Sequence, residues 1–259
     1  MEIRDQLGRK IHLSKVPERI VSLVPSQTEL LVDLGMEKNI VGITQFCVHP
    51  SYLKKIKTRV GGTKKVNFRK IHELEPDLIL CNKEENTPEM VSELEKIATV
   101  HISDVVTIED AFDLMLQYGK MFDRENFAQT MIGAIRKKLD NLRDSLKDKP
   151  VKKVAYFIWK APYMLAGQNT FINSLLEINN FENAVKENRY PQMSLKEIKN
   201  LEPELCLLSS EPYSFTEEHK KELQPHFSEV KLVDGEYFSW YGSRLSEALD
   251  YFKALHLNR

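Results

Sequence analysis

Two stretches of this chain follow one pattern: NFRKIHELEPDLILCNKEE from Asn67 and SLKEIKNLEPELCLLSSEP from Ser194 align at a single offset without a gap. Such self-similarity constrains the fold more than any bulk property, because each copy has to build the same local structure. Each reads as cap, short helix, Glu-Pro-acid stop and strand. Asn67 and Ser194 are good N-caps, since their side-chain oxygens can accept from the unpaired N–H groups of a first helical turn. Ile71 and Leu74 correspond to Ile198 and Leu201 on the core face of the helix. Pro76 and Pro203 end the helices, because proline lacks the N–H that would continue them. Two ordinary αβ units can share such a pattern by chance, but the common L-E-P-acid-L run argues for a true repeat.

The rest of the chain extends this pattern. Residues 20–23 read as a buried strand, and Pro25 turns the chain into a helix starting near Gln27, with Ser26 and Glu29 as a capping box. Short apolar runs at 40–44, 78–81 and 100–102 alternate with amphipathic segments at 68–74 and 88–97, which predicts βαβ units around a mostly parallel sheet. From 124 to 147, Phe127, Met131, Ile135, Leu139, Leu142 and Leu146 recur at three and four residues, predicting one helix roughly 35 Å long. Strands at 153–159, 205–209 and 230–233 and helices at 170–178 and 243–255 follow. The expected organisation is an α/β lobe over 1–121, a connecting helix over 122–149 and a second α/β lobe over 150–259. A repeat copy in each lobe predicts similar lobes with a ligand cleft where their strand ends face each other.

Composition narrows the partners. Thirty-seven basic residues against 38 acidic ones leave a formal charge of -1, so no global field attracts nucleic acid or an anionic membrane. The longest apolar runs are strand-sized, far short of the ~20 residues of a membrane span, so no membrane insertion is expected. The opening MEIRDQLGRKIHLSKVPERI lacks the apolar core of ~7 to 15 residues of an export signal. The chain therefore reads either as periplasmic with a signal removed or as cytoplasmic from Met1. Cys47, Cys81 and Cys206 are odd in number and widely spaced, which marks them as structural free thiols.

DQLGRKIHLSKVPERIVSLVPSQTELLVDLG, then VGIT, HP, VGG, the NFRKIHELEPDLIL unit, and RYPQMSLKEI with LEPELCLLSSEP resemble, in motif and in order, the periplasmic substrate-binding proteins with a helical backbone. The resemblance is to the vitamin B12-binding and iron-siderophore-binding types and covers essentially the whole chain. It implies two Rossmann-like lobes on a rigid helix, a shallow aromatic cleft, and capture of a corrinoid, ferric siderophore or haem-type chelate for ABC-type uptake, with no intrinsic cofactor. By the same resemblance TQFCVHP brings Phe46 and His49 to the cleft, KVAYFIWKAPYMLAG brings Trp159 and Tyr163, and RYPQMS brings Tyr190. GEYFSWYGSR, carrying Ser239, Trp240, Tyr241 and Arg244, falls where the family's last cleft loop lies. Transport-coupled B12 receptors present a glutamate near the start of each repeated helix to arginines of the permease. Arg69 and Lys196 stand at those positions here, and like charges facing a basic socket repel.

The residues themselves leave several readings open. The F-S-W-Y-G-S-R loop either packs internally or meets a ligand, since exposed it would leave much apolar area in water. Arg244 either pairs with a ligand acid or forms a salt bridge at a helix N-terminus. His49 is a turn histidine or a metal ligand, but the seven histidines show no ligand spacing, so no protein metal site is expected. There is no G-x-S-x-G elbow and no P-loop, and VGGTKK lacks the dinucleotide-binding spacing. Glu84 and Glu85 read as a solvated pair. The expectation is a binding protein rather than an enzyme, with a cytosolic carrier or sensor, or an enzyme on the same scaffold, as alternatives.

Overall fold

A computed structural model describes residues 1–257. The polypeptide folds as two units. The first comprises Met1–Val105, Glu109–Ala134 and Tyr241–Arg244; the second comprises Val106–Ile108, Ile135–Trp240 and Leu245–Arg259.

The first unit opens with a hairpin, β1 (Glu2–Arg4) and β2 (Lys10–His12), that the periodicity of the sequence does not reveal. Its turn is closed by the buried Asp5 carboxylate, which accepts from the Leu7 and Arg9 amides and pairs with the Arg9 guanidinium at 2.8 Å. Then follow β3 (Ile20–Ser22), α1 (Pro25–Asp33), β4 (Ile40–Ile43), α2 (Leu53–Ile56), β5 (Thr58–Arg59), α3 (Phe68–Glu73), β6 (Leu78–Asn82), α4 (Pro88–Leu94), β7 (Thr99–Ser103) and α5 (Ile108–Met121). The sheet is parallel throughout, in the order β5-β4-β3-β6-β7. Strand β6 is buried along its whole length, as a parallel strand covered on both faces must be.

Helix α1 corrects one expectation. It begins at Pro25, whose fixed φ suits a first helical position, and its N-cap is Val24 with no side-chain cap bond. Ser26 lies inside the helix and Glu29 reaches Arg244 instead, so no capping box forms.

The predicted long helix is α6 (Glu125–Leu146), 22 residues and about 33 Å, which begins in the first unit and ends in the second. Its buried stripe is Ala128, Ile132, Ile135, Leu139, Leu142 and Leu146. Phe127 is 63% exposed and Met131 only half-buried. Steps of four, three, four, three and four track the 3.6-residue turn, whereas two successive steps of four from Phe127 drift off the face.

The second unit holds β8 (Lys152–Trp159), β9 (Tyr163–Leu165), α7 (Phe171–Ile178), β10 (Phe181–Asn183), β11 (Gln192–Met193), α8 (Leu195–Asn200), β12 (Leu205–Ser209), α9 (Glu217–Leu223), β13 (Val230–Val233), α10 (Glu236–Ser239) and α11 (Leu245–Leu257). Strands β8, β12 and β13 run parallel, β10 pairs with the start of β8, and β9 folds back antiparallel on its end.

The repeat is physical. Asn67 and Ser194 both cap, accepting from the Lys70 and Glu197 amides, and Glu197 closes a capping box. Ile71 and Ile198 are fully buried, and Leu74 and Leu201 pack half-buried against the same cores. Glu75 (φ 45°) and Glu202 (φ 50°) end the helices in the left-handed region ahead of Pro76 and Pro203. The acid after each proline then grips the neighbouring strand. Asp77 accepts from the Glu18 and Arg19 amides at 2.8 and 3.0 Å, and Glu204 from the Lys153 amide at 2.8 Å. In return the Asp77 and Glu204 amides each donate to a carbonyl of that strand at 2.9 Å.

Candidate functional site

Ligands of open α/β sheets collect outside the carboxyl ends of strands where the strand order reverses. In the second unit that point lies between β8 and β12. Strand β8 ends at Trp159, which lies beyond the last β8 residue paired with β12, opposite Met164 of β9, and is 39% exposed. After β12 the chain passes through Ser210, Glu211 and Pro212 to Tyr213, whose amide donates to Ile158 O and whose ring meets Trp159 edge-on at 5.5 Å. Tyr163, at the start of β9, stands edge-on to the buried Phe157 at 5.6 Å, and its hydroxyl donates to Glu222. Beside these lies an open cavity of about 430 Å³, lined by Lys160, Ala161, Pro162, Tyr163, Gln192, Met193 and Ser194. Tyr190, half-buried two residues before Gln192, carries the Arg189 guanidinium over its ring at 5.8 Å. Of the three aromatics expected here, Tyr163 lines the cavity, Trp159 packs against Tyr213, and Tyr190 lies two residues before the lining Gln192.

In the first unit Phe46 follows β4 and is 50% exposed, with its amide held by Thr44 Oγ1 at 3.2 Å. His49, half-buried, contributes to the electrostatics of Glu29.

The F-S-W-Y-G-S-R loop behaves differently. Trp240 is 6% exposed and Tyr241 8%, so both rings pack internally. Tyr241 belongs to the first unit, where its hydroxyl meets Gln27 Nε2 at 3.0 Å and Ser103 Oγ at 3.3 Å. Burial pushes its phenol up to about 12. Arg244 is equally buried and donates from Nε and Nη2 to the two Glu29 oxygens at 2.8 and 2.5 Å. Burial raises the Glu29 carboxyl above its ordinary range, and Arg244 opposes the rise. Of the two partners left open for Arg244, it takes an internal one in α1.

Trp240 belongs to the second unit and donates to Glu211 Oε1 at 3.0 Å. Ser239 Oγ lies 2.5 Å from the same oxygen and 2.7 Å from Gly235 O. The Ser239 hydroxyl donates to Glu211, and Gly235 O lies within reach of the same hydroxyl, so the two acceptors share one hydrogen. Burial raises the Glu211 carboxyl, and the neighbouring Glu236 and Asp234 add to the rise against the Ser239 and Trp240 bonds. The close approach needs Gly235, where a Cβ would overlap Ser209 Oγ.

All three cysteines are buried and free. Burial raises their thiols, Cys206 to about 12, which leaves them protonated and unreactive. Among the described residues no group of three or more His, Cys, Asp or Glu is placed to hold a metal ion. No described helix is long and apolar enough to cross a membrane. Arg69 and Lys196 are exposed on α3 and α8, and Arg69 pairs with Glu73 at 3.5 Å.

Tyr213, Lys160, Glu222 and Glu211 carry no motif that singles them out in the sequence. The available signal was position: Glu211 and Pro212 close the second repeat copy and Tyr213 follows.

Two units with parallel-rich sheets, a long helix running from one into the other and an open cavity beside Tyr163 fit a solute-binding protein. The model of the periplasmic binding protein family matches residues 20–233, and the chain belongs to that family. An uncharacterized ABC transporter substrate-binding lipoprotein, YvrC of Bacillus subtilis, is 26% identical over 212 residues, covering 78% of this chain and 67% of that protein. The crystal structure of the periplasmic vitamin B12 binding protein BtuF of Vibrio cholerae has the same fold, with a TM-score of 0.80 and 20% identity over 92% of this chain and 96% of that one. A periplasmic heme binding protein from Pseudomonas aeruginosa also shares it, with a TM-score of 0.79 and 20% identity over 92% of each chain.

Proposed function

We propose that this chain captures a metal chelate with a broad apolar face, a corrinoid, haem or ferric siderophore, and presents it to an ABC-type permease. The observation that carries the reading is the exposed Trp159 at the end of β8 with Tyr163 beside an open cavity of about 430 Å³. Large rings left partly in water at a strand switch point suit a flat ligand, which recovers their hydration cost by stacking. Relatives named for substrate binding, vitamin B12 and heme support the same class. In this reading Phe46, His49, Trp159, Tyr163, Tyr190 and Ser239 contact the ligand. Trp240, Tyr241 and Arg244, internally bonded, hold the loop that carries Ser239. Binding is reversible and no bond is made or broken. Arg69 and Lys196 put positive charge where the resemblance implies glutamate, so a permease that receives this chain there presents a surface that is not basic.

Trp159 and Trp240 are the only tryptophans. Fluorescence titration with cobalamin, haem and a ferric siderophore, with inner-filter controls, is expected to show saturable quenching by one of them at micromolar or tighter affinity. Trp159→Phe should abolish most of that signal and Trp240→Phe should keep it. No saturable response to any of the three ligands would sink the reading.

A further inference from the structure

At the wall of the second-unit cavity, one carboxylate occupies two donors. Lys160 Nζ is ion-paired to Glu222 Oε2, and the Tyr163 hydroxyl donates to Glu222 Oε1 at 3.4 Å. Lys160 and Tyr163 line the cavity; Glu222 reaches them from α9 and does not. The Glu222 side chain is 51% exposed and that of Lys160 24%. Exposed pairs of this kind hold weakly, because water competes for both ions. The bond to Lys160 keeps the Glu222 carboxyl below its usual range, and the bond to Glu222 keeps the Lys160 ammonium above its own, so both are charged at neutral pH.

A third donor stands next to them. His219 Nδ1 accepts from the Thr216 amide at 3.0 Å, which places the ring proton on Nε2. Nε2 faces the Tyr213 hydroxyl at 3.1 Å. Tyr213 therefore accepts from His219 and keeps its own O–H for another acceptor. It is close enough to act electrostatically on both Lys160 and Tyr163. An ammonium and a phenol at the cavity wall, with a second phenol alongside, form a receptor for an anion with more than one oxygen.

We infer that Lys160 and Tyr163, with Tyr213 alongside, read a carboxylate on the rim of the cargo, and that Glu222 is an internal stand-in which this carboxylate displaces. The inference rests on the binding reading above and narrows it to acid-edged chelates, such as ferric haem, over the amide-edged corrinoids. Lys160 and Tyr163 are specificity-determining residues. Glu222 acts on affinity only by competing.

The full chain is titrated with ferric haem, haem dimethyl ester and cyanocobalamin, as wild type, Lys160→Met and Glu222→Gln, with circular dichroism to verify folding. The wild type should bind the diacid more tightly than the ester. Lys160→Met should weaken haem by about tenfold, the cost of one charge-assisted hydrogen bond, and leave the ester within about twofold. Glu222→Gln should tighten haem by about two- to fivefold, by freeing a weakly held exposed donor pair. Equal affinities for acid and ester, variants that shift both alike, or binding of cyanocobalamin alone would overturn the assignment while the binding reading stood. No response to any probe would overturn the assignment and leave the binding reading to the ferric siderophore titration.

Discussion

The two copies of the repeat solve the same problem up to the end of their strands and then part. After β6, Asn82 turns the chain on itself: its Oδ1 accepts from the Glu84 and Glu85 amides, its own amide donates to Asn86, and its Nδ2 reaches Ser103. That end is polar and self-satisfied. After β12, Ser209 ties to Glu211, and the chain continues to Tyr213, which meets Trp159. The cap, helix and acid clamp are scaffold, set alike in both copies, whereas the segment after the strand is free to carry a site. The comparison teaches that similarity within the repeat predicts stability, and departure beyond it predicts where function lies.

The largest test of that division is the core position. Ile71→Ala and Ile198→Ala each empty a fully buried site and should each cost about 2–5 kcal/mol in urea unfolding; tolerance in one copy alone would break the equivalence. Next come the caps: Asn67→Ala and Ser194→Ala should each cost about 1 kcal/mol, with Ser194 the larger because its capping box satisfies two amides. The acid clamps sharpen the comparison further. Asp77→Ala, which frees two strand amides, should destabilise more than Glu204→Ala, which frees one, by about 1 against about 0.5 kcal/mol at these exposed bonds. Equal costs would argue that the clamp is set by the backbone and not by the carboxylate.

The smallest effect concerns Glu211, where the copies diverge. A carboxyl raised on folding contributes stability that is complete below its unfolded value and lost as pH rises through its folded one. Glu211→Gln, which cannot ionise, should therefore gain on the wild type between mildly acidic and mildly alkaline buffer. A constant difference in urea midpoint across that range would contradict a raised Glu211 carboxyl.

Much of this architecture was legible before any coordinates. Strands 205–209 and 230–233, the α6 span to within a residue at each end, both caps and the buried isoleucines follow from local periodicity and stop signals. Those are short-range effects, carried by residues three or four apart. The hairpin β1–β2 was not legible, because its three-residue strands are too short for a pattern and depend on Arg9 donating to Val100 O, 91 residues away. Glu29 was misassigned for the same reason: its spacing from Ser26 fits a cap, but a guanidinium 215 positions later claims it.

The candidate site divides along the same line. Sequence by itself determined that this is an α/β chain built on a repeated helix-Pro-strand unit with a long helix between the copies, since propensity, capping and hydrophobic period are properties of neighbours along the chain. Only the tertiary structure decided which aromatics are structural and which stay open. Trp159 and Trp240 look alike in sequence, yet one lies beyond the last β8 residue paired with β12 and stays open, and the other is buried with its indole N–H on Glu211. Burial is set by what folds over a side chain, and the residues that do so at Trp240, Tyr241 and Arg244 come from positions up to 215 residues away.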